Sequence, residues 1–237
     1  MIEHRIKKIR AYSKAMIRRL IATDLKIEML RPLLSDSDVT DKWNDSYGAH
    51  GLELLRMTLY FDLIREMSAI SLDRSSKAPS ISNILDLLQS TELLDELQKD
   101  YCKPSPISWV GDIDEDSKKF WEEKHEERDR KESEERFKSH HKKSKKLFKE
   151  LKNSDIFTKI KRSRNKLIAH YEMCNSDDGA RMFEPADFDL KWGDPEEYYN
   201  KIKPIIVELV LLTSNEGYSL DTNNSQHKTI SGEFWQA

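Results

Sequence analysis

The stretch KRSRNKLIAHYE, residues 161–172, is the most informative part of the sequence, because it combines helical spacing with an arginine and a histidine, side chains that can contact a phosphate group. Its apolar positions continue the spacing of Ile156 and Ile160, which predicts a helix capped within residues 153–155. On one straight helix, Arg164 and His170 would lie about 120° apart and about 9 Å along the axis, and would not easily converge on one phosphate. Two chains related by a twofold axis would bring both pairs together, so the spacing favours a composite site in a homodimer.

Helical spacing of apolar residues recurs through most of the chain on either side of this stretch. It predicts a first helix that Pro32 ends, a second from about Gly51 to Asp73 and a third capped by Ser80. A last helix is expected to start near Pro195, because proline is favoured in the first turn of a helix.

The stretches between these helices are polar. We therefore expect loops at residues 36–45 and 180–194 and a connector at residues 102–114. No convincing run of residues has the two-residue period of a β-strand. The polar residues 214–237 are expected to form a peripheral C-terminal tail, which leaves residues 1–213 as one helical domain. The sequence therefore predicts an all-α fold.

Residues 115–150 are charged almost throughout and contain neither proline nor glycine. Disorder is one interpretation of such a run, and a long, mostly solvated helix is the other. Opposite charges that recur four residues apart, together with periodic flanks, favour the helix. We therefore expect a long charged helical insertion in the domain.

Positive charge is concentrated just before and within the opening stretch. Between Arg136 and His170, thirteen Lys and Arg residues stand against two acidic residues, in a chain of formal net charge −3. This cluster is either a solvated helix face or a surface on which Lys and Arg neutralise the phosphates of a polyanion. It lacks interleaved aromatic residues of the kind that stack bases, so sequence-specific reading is not indicated. The candidate RNA-binding residues are Lys142, Lys143, Lys145, Lys146, Lys159, Lys161, Arg162 and Lys166.

Composition and residue spacing exclude several other classes of protein. The two distant cysteines, Cys102 and Cys174, form neither a disulfide framework nor a zinc site, and they favour a reduced, cytoplasmic compartment. The most apolar run, Ile205–Leu212, is too short to span a bilayer, and the N-terminus lacks the apolar core of a secretory signal. His140 and His141 have no nearby cysteine or paired carboxylate to complete a metal site, so neither metal nor cofactor is expected.

The segment RNKLIAH, residues 164–170, resembles the Arg-x(4–6)-His signature of the HEPN superfamily, including the polar residue that often follows the arginine. The run from Leu55 to Leu88, and the later LKWGD at residues 190–194, resemble the abortive-infection U-type (AbiU-like) branch. The resemblance covers roughly residues 1–213. It implies a HEPN-like helical bundle that usually dimerises through the motif helices.

The resemblance also implies an activity, because many of these proteins cut RNA without a metal and leave 2′,3′-cyclic phosphate and 5′-OH ends. By analogy His170 would be the acid–base residue, since imidazole changes charge near neutral pH. Arg164 would stabilise the phosphorane, because its planar fork suits phosphate oxygens. Asn165 would orient His170 or contact the phosphate.

Many HEPN proteins are toxins of toxin–antitoxin or phage-defence systems, and some pair with a nucleotidyltransferase that modifies a tyrosine two residues after the histidine. In this sequence that position is Glu172, and the tyrosine, Tyr171, directly follows the histidine. The sequence therefore departs from the pattern of the modified tyrosine, whereas the prediction of a nuclease does not depend on that position. An endoribonuclease toxin or defence effector, with an antitoxin of this or another type, is the expected function.

Two alternatives follow from the same residues. Some HEPN domains bind nucleotide, RNA or a partner protein without cutting, and cations near a helix C-terminus can simply interact with the helix dipole. The first alternative is therefore a HEPN domain that binds without cutting, and the second is a helical scaffold built on the charged helix.

Overall fold

The computed structural model describes residues 2–43, 46–104, 106–107, 114–168, 173–176, 179–182, 184–215, 217–218 and 220–236. The α-helices in these ranges are α1 (Ile2–Ser35), α2 (Ser37–Thr40), α3 (Gly48–Leu72), α4 (Ile81–Leu87), α5 (Thr91–Tyr101), α6 (Glu115–Lys152), α7 (Asp155–Ser163), α8 (Asp194–Ser214) and α9 (Leu220–Gln236). They are joined by 3₁₀ turns at Asp41–Trp43 and Pro185–Phe188 and by a π-helical turn at Arg164–Ile168. The predicted all-α bundle is confirmed, with one short hairpin added.

The centre of the bundle is formed by α1 and α8. Helix α1 packs against α3, α8 and α9, and α8 packs in addition against α6. Tyr198, Ile202 and Leu209 of α8 are fully buried, and Tyr198 Oη lies 2.7 Å from Ser71 Oγ of α3. Each large apolar side chain buried in this way stabilises the fold by roughly 1.5–3 kcal/mol relative to exposure.

The first helix continues through Pro32, where the sequence predicts its end. Proline has no N–H to donate to the carbonyl of Glu28 one turn earlier. That carbonyl instead accepts a hydrogen bond from Ser231 Oγ of α9 at 2.7 Å. The backbone N–H of Asp36 donates to the Pro32 carbonyl at 3.0 Å and completes the last turn. The prediction was wrong because a distant helix replaces the missing bond.

Helix α9 occupies residues for which the sequence predicts a peripheral polar tail. It packs on α1, where His227 Nδ1 lies 2.8 Å from Asp24 Oδ2 and Trp235 Nε1 donates to the Met29 carbonyl at 3.2 Å. The segment is therefore a packed helix and not a peripheral tail. The sequence did not reveal this because several of the contacts between α9 and α1 are polar. Hydropathy alone does not mark such a segment as a packing helix.

The single helix predicted after Ser80 is two helices, α4 and α5. Ser80 caps α4 as predicted, since its Oγ accepts from the Asn83 backbone N–H at 3.2 Å. Helix α4 ends at Leu87, and Ser90 then takes the N-cap position of α5. The leucine spacing resumes at Leu93, which hides the break from a periodicity argument.

The charged segment forms one continuous helix, α6, of 38 residues, so the helical interpretation is confirmed over disorder. Its buried side chains all lie in the C-terminal part, from Ser133 to Leu151. The N-terminal part exposes Phe120 and Trp121, at 53% and 58%. Only the C-terminal part of α6 is therefore anchored in the core.

A short antiparallel hairpin follows the π-helical turn, where the sequence predicts the end of a helix and a loop. Strand β1 (Met173–Ser176) pairs with β2 (Gly179–Met182), with Met173 opposite Met182. Each strand has only four residues, the shortest run in which alternation can be recognised, and Met173–Ser176 does not alternate polar and apolar residues.

Candidate functional site

The arginine and asparagine of the motif lie at a change of helix type. Helix α7 ends at Ser163, and Arg164 to Ile168 continue as a π-helical turn. Arg164 and Asn165 are both half-buried, and Arg164 Nη1 donates to Asn165 Oδ1 at 3.2 Å. This contact fixes one edge of the guanidinium beside an amide.

The π-helical turn changes the geometry predicted for the motif. Its hydrogen bonds join residues five apart instead of four, so the turn is wider than an α-helical one. The straight-helix rotation between positions 164 and 170 therefore does not apply, and the assumption of one regular helix was wrong. Single π-helical turns inside α-helices are frequent at functional sites, although they also occur elsewhere.

His170, the predicted acid–base residue, lies outside the described residues, as do Tyr171 and Glu172. Arg164 and Asn165 are thus the part of the motif whose geometry the structure gives.

The basic residues predicted on α7 have distinct surroundings. Lys159 Nζ donates to both the carboxylate of Asp189, at 2.7 Å, and its carbonyl, at 2.9 Å. This hydrogen bond raises the pKa of Lys159. The guanidinium of Arg162 lies 6.0 Å from the ring centre of Phe188, within cation–π range. Lys161 and Lys166 are exposed on the same stretch.

Lys159 also has a structural role that the sequence does not reveal. Asp189 has a φ of 51°, the left-handed conformation that is uncommon outside glycine. Because Lys159 holds both the carbonyl and the carboxylate of Asp189, it ties the turn at residues 185–188 to α7. No local pattern predicts this pair, which joins positions 30 residues apart.

The four predicted lysines on α6 are all exposed, but two of them have an acidic partner. Lys143 Nζ lies 2.5 Å from Glu208 Oε1 of α8, and Lys146 lies 3.8 Å from Glu150 on its own helix. Lys142 and Lys145 are exposed. The structure thus assigns Lys143 to the packing of α6 on α8.

Glu208 joins a histidine as well as a lysine to α8. Its Oε2 lies 2.7 Å from His140 Nδ1, and only 6% of the residue is exposed. Burial alone would raise the pKa of Glu208, but the hydrogen bonds from His140 and Lys143 outweigh burial and lower it. At His141 burial lowers the pKa, and the charge of Lys145 adds to that effect. The adjacent histidines are thus packing residues of α6.

Side chains that can ligate a metal or act as nucleophiles also occur elsewhere in the described part of the chain. No group of three or more His, Cys, Asp or Glu side chains there could hold a metal ion. Cys102 is buried, and burial raises the pKa of its thiol, which disfavours the reactive thiolate. Among the described helices, none is long and apolar enough to cross a bilayer.

Comparison with known protein families identifies a match over most of the chain. The family model described as AbiU2, a HEPN family, matches residues 6–232. Neither the curated proteins nor the solved structures include a match. The matched range extends into α9 and contains the whole Arg-Asn-x4-His segment. With nearly its full length covered, this chain belongs to the AbiU2 family of HEPN proteins.

Proposed function

We propose that this protein is a metal-independent endoribonuclease that acts as a toxin or abortive-infection effector. The observation that carries the proposal is the Arg164–Asn165 contact at the π-helical turn, at the end of a basic helix in a HEPN family member. A half-buried guanidinium with a defined neighbour is suited to hold a phosphate in one orientation.

The proposed reaction is attack by a ribose 2′-oxygen on the adjacent phosphorus. The O2′–P bond forms as the P–O5′ bond breaks, which yields a 2′,3′-cyclic phosphate and a free 5′-OH. His170 accepts the proton of the 2′-OH, and the departing 5′-oxygen takes up a proton. Arg164 stabilises the negative charge that develops on the phosphorane oxygens. No metal takes part in this scheme.

A homodimer is part of the proposal, because one copy of the motif supplies one histidine while the reaction both removes and donates a proton. Two motif helices around a twofold axis would provide the second histidine. Exposed Lys142, Lys145, Lys161 and Lys166 would attract the RNA backbone. The proposed setting is the cytoplasm, with an antitoxin of the nucleotidyltransferase or another type as the partner.

The test is RNA cleavage by the purified protein in EDTA. Wild type is compared with His170→Ala, Arg164→Ala and Asn165→Ala, and with Arg128→Ala as a control in the acidic half of α6. We expect wild type and Arg128→Ala to cut and leave cyclic phosphate ends. We expect the His170 and Arg164 variants to lose about 100-fold or more in rate.

The other outcomes separate the alternative functions. RNA binding without cleavage by wild type would replace the nuclease with a catalytically silent binding module. Equal cleavage by wild type, the Arg164 variant and the His170 variant would show that the activity lies elsewhere. Absence of both binding and cleavage would favour the scaffold interpretation.

A further inference from the structure

An apolar cavity of about 310 Å³ lies between α3 and the segment of residues 184–192. Its walls include Met57, Tyr60, Pro185, Leu190 and Trp192, with Glu184 among the lining residues. The volume is at the lower end of the roughly 300–1,000 Å³ typical of ligand pockets. It therefore suits a single planar group better than a large ligand.

The aromatic walls are held in place by contacts on their far sides. Tyr60 is buried and its hydroxyl donates to the Lys191 carbonyl at 3.0 Å. Its ring meets Trp192 edge-on, with 4.9 Å between ring centres. The Arg56 guanidinium lies 5.0 Å from the centre of the Trp192 ring, yet Trp192 remains 40% exposed. The cavity is thus preformed and has an indole accessible from solvent.

The same segment also contacts the basic residues of α7. Phe188 lies under the Arg162 guanidinium, and Asp189 is bound by Lys159. The π-helical turn that carries Arg164 packs on α3, the helix that supplies Met57 and Tyr60. Residues 184–192 therefore connect an aromatic cavity to the positively charged end of α7.

We propose that this cavity binds one unpaired nucleobase of the RNA strand whose phosphate is held at Arg164. An aromatic cavity beside clustered cations is the combination that single-stranded RNA requires, because bases stack on aromatic rings while phosphates pair with Lys and Arg. The lysine-rich stretch itself lacks interleaved aromatic residues of the kind that stack bases. The fold brings Tyr60 and Trp192 to the basic segment from other parts of the chain. The inference rests on the proposed function for the phosphate contact.

The test uses a short fluorescent 2′-O-methyl oligoribonucleotide, which cannot be cleaved because the attacking hydroxyl is blocked. Its binding is measured by anisotropy with every base present and with an abasic site at each position in turn. For wild type we expect one abasic position to weaken binding about tenfold, the loss of one stacked base. Trp192→Ala should bind the complete oligonucleotide about tenfold more weakly and show no dependence on that position. Trp121→Ala removes an indole from α6 that is 58% exposed, more than Trp192 at 40%, and should match wild type.

A second measurement keeps the result independent of a variant that misfolds. An oligonucleotide carrying 5-iodouridine is photocrosslinked to wild type, and the attachment site is mapped by mass spectrometry. We expect the main crosslink at Trp192, the accessible ring of the cavity, and crosslinks confined to residues outside the cavity would overturn the proposal.

The outcomes separate this inference from the nuclease proposal. If no abasic position weakens binding by wild type, the base site is wrong while the phosphate site stands. A position-dependent profile with no cleavage of natural RNA would support the base site and overturn the nuclease. Failure of wild type to bind any oligonucleotide would overturn both.

Discussion

Asn165 is an uncharged neighbour of Arg164, so it leaves the positive charge of the guanidinium available to a phosphate. Asn165→Asp keeps the shape of the side chain and its acceptor oxygen, but it places a full negative charge 3.2 Å from Arg164 Nη1. We expect RNA affinity to fall about tenfold or more, because the arginine is then neutralised within the protein. The measurement is anisotropy with a non-cleavable RNA, with thermal unfolding to check the fold. Wild-type affinity in this variant would show that Arg164 does not contact the phosphate.

Glu208 is a second residue whose charge has a measurable effect, here on stability. Glu208→Gln removes the carboxylate that binds His140 and Lys143. We expect a loss of about 2 kcal/mol in the free energy of unfolding near neutral pH, measured by urea denaturation. The matched control is Glu150→Gln, which removes an exposed pair with Lys146 and should cost less than about 0.5 kcal/mol.

The pH dependence of that loss follows from the lowered pKa of Glu208. A carboxyl whose pKa is lower in the folded state stabilises the fold above its unfolded pKa, and that stabilisation is lost as the pH falls through the folded pKa. The difference between wild type and Glu208→Gln should therefore be full well above the ordinary value of 4.5 and shrink below it. A difference that stays constant into the acid range would contradict this account of the pair.

At the element scale, α9 supplies the donor that lets α1 pass through Pro32. Ser231→Ala leaves the Glu28 carbonyl without that partner, and we expect it to cost about 1–2 kcal/mol of unfolding free energy. Adding Pro32→Ala should reduce this cost, since the restored backbone N–H can bind the same carbonyl. Thr229→Ala on the exposed side of α9 is the control, because it removes only a hydrogen bond to Ser225 within the helix.

The free energies of unfolding of wild type, Ser231→Ala, Pro32→Ala and the double variant are compared by urea denaturation. Equal costs of Ser231→Ala with and without Pro32 would show that the serine acts through some other contact.

At the scale of the whole molecule, the separation of charge predicts how RNA binding responds to salt. The acidic part of α6 precedes the basic residues of α6 and α7, so RNA is attracted to one region of a chain whose net charge is slightly negative. If about four phosphates are neutralised, the logarithm of the affinity should fall with the logarithm of salt with a slope of about −3. Lys142→Glu with Lys145→Glu should make the slope shallower. An unchanged slope would place the RNA away from α6.

The sequence predicts those parts of the fold that depend on local patterns. The continuous α6, the Ser80 cap and the start of α8 near Pro195 all follow from spacing and capping chemistry. The course of α1 beyond Pro32 and the docking of α9 do not, because each depends on a hydrogen bond to a distant helix. Local rules contain no information about those partners.

The candidate site shows the same division. Arg164 and Asn165 are adjacent in sequence, and the motif identifies both. A count of positive charges does not reveal the salt bridge between Lys143 and Glu208 or the one between Lys159 and Asp189. The π-helical turn was also missed, since regular helical spacing assumes a constant number of residues per turn.

The bond between Glu28 and Ser231 has a consequence for the order in which the chain folds. The two residues are 203 positions apart, so α1 is completed only after α9, which is synthesised much later than α1, has emerged from the ribosome. Contacts of such long sequence separation slow folding, because the chain must close a large loop before they form. Until Ser231 has been synthesised, the Glu28 carbonyl lacks its hydroxyl partner, and the bundle reaches its final packing after most of its residues have been joined.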